Sequence, residues 1–94
     1  MGINDINLDI LKQYLKVDNT EDDLILNLIL SSAKAYIKSD TGLTEEEINS
    51  YEDLTIALLV LCNDMFGNRE YTVNNEKINP IIDSILSMHR VNLL

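Results

Sequence analysis

The side chains in this 94-residue chain that could do chemistry are few, and they are badly placed for one another. Nucleophilic catalysis needs a nucleophile beside a base. The chain offers one thiol, Cys62, and one imidazole, His89 near its end. Cys62 falls inside an unbroken apolar run, Ile56 to Cys62, where a cysteine is a small buried hydrophobe. A lone cysteine also admits no intrachain disulfide. A structural zinc site takes about four nitrogen or sulfur ligands, which one Cys and one His cannot supply. Acids are plentiful, yet there is no Asp-x-Asp-x-Asp-Gly loop for calcium and no glycine-rich loop for phosphate. Asp22-Asp23 and Glu45-Glu46-Glu47 stand where helices begin, and the helix dipole favours negative charge there. The expectation is no catalytic residue, no cofactor and no metal.

The charge balance narrows the partners. Sixteen acids against seven basic residues give a net charge of −9. Lys12, Lys16, Lys34, Lys38, Lys77, Arg69 and Arg90 are scattered, with acids between them. Phosphate binding rests on clustered Lys and Arg, so a basic face for nucleic acid, including a helix-turn-helix regulator, is not expected. The acidity serves solubility, or it makes a surface that nucleic acid slides past. The longest apolar run falls far short of the ~20 residues that cross a bilayer. Met1 to Asp9 has neither the basic start nor the apolar centre of a signal peptide.

These residues are carried by a helical pattern. Asn7 caps a short helix, Leu8 to Leu15, with Leu8, Leu11 and Leu15 on one face. Thr20 is expected to cap a second helix, with Glu21, Asp22 and Asp23 in its first turn and Gly42 beyond its end near Ser39. Leu24, Ile25, Leu28, Ile29, Ser32 and Tyr36 form one face of it, and Leu26, Leu30, Ala33 and Ile37 form another. A helix with two apolar faces must touch more than one neighbour. Thr44-Glu45-Glu46-Glu47 is a capping box opening a very short helix or turn. The next helix, about Glu52 to Asn68, is apolar on all sides in its middle and is expected to be the most buried element. Tyr71 to Ile78 has no helical period and reads as a loop. Asn79-Pro80 starts the last helix, Ile81 to about Arg90, where Ile81, Ile82, Ile85, Leu86 and Met88 spread round a broad face. The expected fold is all-α, a small four- to five-helix bundle with two long helices and short terminal helices, one domain over residues 1–94.

Four stretches, taken together, resemble the phage head–tail connector family of small helical adaptors. Tyr14-Leu15-Lys16-Val17-Asp18 closes a leucine-rich first helix as in that family. Glu21 to Gly42 is similar to its acidic helix start, leucine/isoleucine helix, Ala-Lys-x-Tyr-Ile segment and Thr-Gly end. Phe66-Gly67-Asn68-Arg69-Glu70 matches an aromatic followed by x-Asn-Arg-Glu, although Asp64-Met65-Phe66 stands where the family often has His-Trp-Tyr. Pro80, Ile85-Leu86 and His89-Arg90 sit where the family has a proline-started helix closing in a leucine/arginine motif.

The resemblance implies an architectural protein. It would form a ring of about twelve or thirteen copies beneath the portal of a phage capsid. There it would join the capsid to tail-side or stopper proteins and let DNA pass without specific binding, with no enzyme activity and no membrane. The place implied is the virion's head–tail junction, with assembly in the bacterial cytoplasm. Candidate structural or interface residues are Tyr14, Asp22, Asp23, Tyr36, Phe66, Asn68, Arg69 and Arg90. The loop residues Thr72, Val73, Asn74, Asn75, Glu76 and Lys77 are candidates for partner contact, since loops often carry binding. Arg69 closes a helix where a cation suits the dipole. A sharper expectation is a buried ion pair with an acid of its own chain or of a neighbouring subunit, Asp22 or Asp23 first. The acids either line the channel or face outward. Two other readings are a non-viral helical protein-binding module, which keeps the fold without the ring, and an acyl carrier protein. Asp83-Ser84-Ile85 has the residue types of the carrier's attachment site but lies inside the last helix rather than at a mid-chain helix start.

Overall fold

Five α-helices follow one another with short connections in the computed structural model, which describes residues 1–91, position 75 through its backbone alone. They are α1 (Leu8–Leu15), α2 (Asp23–Thr41), α3 (Glu45–Ser50), α4 (Glu52–Gly67) and α5 (Pro80–His89). Single 3-10 turns lie at Ile3–Asp5 and Asn75–Lys77, and there is no strand among the described residues. The protein is all-α, as its pattern predicts.

Most helix starts are written locally. Asn7 Oδ1 accepts from the Ile10 amide at 2.9 Å. Thr44 Oγ1 accepts from the Glu47 amide at 3.2 Å while the Glu47 carboxylate accepts from the Thr44 amide at 3.1 Å, a complete capping box. Asn79 Oδ1 accepts from the Ile81 amide at 2.8 Å, with Pro80 at the first helical position. The start of α2 differs from expectation. Asn19 Oδ1 accepts from the Asp22 amide and the Thr20 carbonyl from the Asp23 amide, both at 3.3 Å. Those bonds spend Asn19 to Asp22 on a turn, so Thr20 caps nothing and the helix begins at Asp23.

α2 and α4 pack along each other as the central pair. α5 lies against both, α1 crosses α2 and touches α4, and α3 with the N-terminal turn closes on α4. The core is aliphatic: Leu11, Leu26, Ile29, Ala33, Ile37, Leu54, Leu58, Ile82 and Leu86 are fully buried. Each large side chain so buried contributes about 1.5–3 kcal/mol against leaving it exposed.

The central helix is not covered all round, contrary to its reading from sequence. Ile56 is 57% exposed and Leu59 and Val60 are half-buried, because the elements packed on α4, chiefly α2 and α5, leave this side without cover among the described residues. On α2 only one of the two expected apolar faces is fully used: Leu24 and Leu28 are 72% and 52% exposed. The N-terminus holds a contact that the sequence pattern did not reveal. Gly2 is buried against α3 so closely that a Cβ there would lie 2.1 Å from the Asn49 carbonyl oxygen. The Asn4 amide donates to Asn49 Oδ1 at 2.8 Å and Thr55 Oγ1 donates to the Met1 carbonyl at 3.0 Å.

Candidate functional site

The expected interface residues fall into three places. Around the end of α4, Phe66 is half-buried and the Arg69 guanidinium lies over its ring, 4.9 Å from the centroid. Arg69 itself has a positive φ of 55°. It sits where the chain turns off the helix, with the Glu70 amide donating back to the Met65 carbonyl at 2.8 Å. That left-handed position usually belongs to glycine. Asn68 joins Val73, Asn74 and Lys77 of the following loop around one cleft of about 330 Å³, floored by Leu61 and Met65. Thr72 and Glu76 are exposed on the same loop, and Asn75 begins its 3-10 turn.

At the start of α2, Asp23 is tied to Lys12 of α1 at 2.8 Å. The sequence-level pairing of Arg69 with Asp22 or Asp23 within one chain is therefore not what forms: Lys12 has taken Asp23, and Arg69 is exposed and makes no ion pair among the described residues. Asp22 is half-buried at the cap position, where its side chain caps nothing. Tyr14 is 45% exposed on α1, apart from both groups.

The third place is a clasp at the end of α5. Arg90 donates to Asp40 of α2 at 2.9 Å and to Asp83 of α5 at 2.7 Å. These bonds hold its guanidinium above its already high pKa. The Val91 amide donates to the Thr41 carbonyl at 2.8 Å, beside Gly42, whose φ of 72° ends α2. Tyr36 is half-buried near this clasp, and burial, then the Asp40 carboxylate, push its phenol above its ordinary pKa against the pull of Arg90.

A comparison with family models settles the lineage of this bundle. The model described as phage gp6-like head-tail connector protein matches residues 5–88. The chain belongs to that family. No curated protein and no solved structure matches it. As a connector it is a structural component of the virion that meets other parts of the phage head and tail.

Sequence reasoning missed one cluster of this connector. His89 Nε2 lies 2.7 Å from Asp53 Oδ2, and the His89 ring packs on Tyr51 with centroids 4.4 Å apart. Pairing across α4 and α5 joins residues distant in the chain, so no local pattern announces it. The cluster holds α5 on α4, just as Arg90 holds α5 on α2. Cys62 is remote from it: buried in the core, its thiol is pushed up to about 12 by desolvation.

Proposed function

We propose that this connector assembles as a ring of about a dozen copies beneath the portal, bridges it to a tail-side or stopper protein, and lets the genome through. The family match over residues 5–88 carries the reading. Two features of the molecule support it: apolar side chains uncovered on more than one side, and a net charge of −9. A ring would hold on the order of a hundred negative charges, screened beyond about 10 Å. Acids on the channel wall would keep DNA from sticking. Assembly takes place in the bacterial cytoplasm before the particle is complete. Loop 71–78 with its cleft, whose lining pairs apolar Val73 and Ile78 with Asn68, Asn74 and Lys77, is the contact for the portal or the tail-side partner.

The experiment is sedimentation of the purified chain with and without the portal of the same phage, with negative-stain imaging of the heavy fraction. Rings of the chain seated on portal particles are expected. A chain that never sediments with its portal contradicts the reading.

A further inference from the structure

Two apolar stripes of this connector lack cover among the described residues, and they point in opposite directions. On α2, Leu24 and Leu28 are exposed, and Ser31 and Ala35 continue their line at the helical repeat. At 3.6 residues per turn this line lies opposite Leu26, Ala33 and Ile37, which are buried on the side α2 turns to α4. On α4, Ile56 and Val60 lie opposite Leu54, Leu58 and Met65, which are buried on the side turned to α2. α5 extends the second stripe. It runs antiparallel to α4, since Asp53 meets His89 and Asp64 meets Asn79. That sets Ile81 and Met88, 63% and 70% exposed, on α5's side away from the Arg90–Asp40 pair to α2. The bundle thus has one apolar stripe on its front and another on its back, which is unusual for a protein that stays single.

A twofold contact between copies uses one patch twice. Two different patches on opposite sides suit a head-to-tail contact, the kind that closes into rings. The charges at the ends of the two helices fix the direction. α2 runs from Glu21 and Asp22 at its start to Lys38 near its end, and α4 from Glu52 and Asp53 to Arg69. Laid parallel, acids would meet acids. Laid antiparallel, with Asp22 level with Arg69 and Lys38 near Glu52, Leu24 and Leu28 fall against Gly67 and Asn63, and Ser31 and Ala35 fall against Val60 and Ile56. Asp22 and Arg69 make no side-chain ion pair with other described residues of their own copy, whereas Lys38 and Glu52 also have surface partners, Glu45 and the N-terminus. We propose that a second copy of the chain covers these stripes: the α2 line Leu24, Leu28, Ser31 and Ala35 of one copy packs antiparallel on the α4 line Gly67, Asn63, Val60 and Ile56 of the next, with Asp22 of one level with Arg69 of the other. This rests on the ring reading and names the surfaces that build it.

The test uses two variants that each block one stripe, Leu28→Asp and Ile56→Asp, with circular dichroism to confirm folding, since both side chains are more than half exposed. Sedimentation velocity over a concentration series should find species larger than dimers for the unmodified chain and monomers for each variant alone. An equimolar mixture of the two should give one-to-one dimers and nothing larger, because each variant keeps the stripe the other lacks. Asp22→Arg and Arg69→Asp should each weaken assembly roughly ten-fold, and the double variant should regain most of it. Blocked variants that assemble like the unmodified chain would overturn the choice of surfaces and leave the ring standing. A mixture that stays monomeric would overturn the head-to-tail pairing. An unmodified chain that stays monomeric would overturn the proposal outright, while its sedimentation with the portal would still decide the connector reading.

Discussion

Arg69 and Lys16 share an unusual backbone, with φ of 55° and 59°, each at the end of a helix where glycine is the common residue. Glycine at either position removes the cost of a Cβ in the left-handed region, partly offset by the freer unfolded chain. Lys16→Gly and Arg69→Gly should each raise stability by about 0.5–1 kcal/mol, read as an upward shift in melting temperature. They should differ in assembly: Arg69→Gly loses the guanidinium over Phe66 and weakens assembly, whereas Lys16→Gly leaves assembly as it was. Equal effects of the two on assembly would remove Arg69 from the contact. The sequence disclosed Arg69 as a helix-end cation but not its backbone. Gly67, two residues earlier, is an ordinary helical residue with open space at its Cβ, so the glycine in the stretch is not the one that ends the helix. Nor could the sequence tell which base Asp23 meets, because the choice between Lys12 and Arg69 depends on how α1 crosses α2.

At the scale of elements, what could be read was what is local. The caps Asn7, Thr44 and Asn79 mark three starts because the side chain and the amide it accepts from are within one turn. Apolar pattern alone could not say which side of α4 is core. A face that packs inside the bundle and a face left exposed carry the same kinds of side chain, so Ile56 and Leu58 look alike in sequence and differ in the fold. The N-terminal segment was illegible for a related reason: its partners, Asn49 and Thr55, are far along the chain. Gly2 is the sensitive point there. Gly2→Ala must push the segment off the Asn49 backbone, and the expected cost is about 1–3 kcal/mol, measured by denaturant unfolding. An unchanged midpoint would mean that the N-terminal turn is not docked as described. Three anchors, Met1–Thr55, Asn4–Asn49 and the burial of Ile3 and Ile6, should be weakened together by that substitution.

As a whole, the molecule is elongated, 45 × 28 × 18 Å, with α2 and α4 stacked between two partly apolar outer faces. Small acidic helical chains that act alone need neither face uncovered. In the ring proposed above a copy sits between identical neighbours and uses both, and its charge of −9 would then belong to a ring surface rather than to a single particle. The most direct measurement is electron microscopy of particles made by the phage that carries this chain after the chain alone has been deleted. The account predicts heads and tails that accumulate separately, with joining restored when the chain is supplied in trans. Deleted phage that still yields normally joined, infectious particles would contradict it.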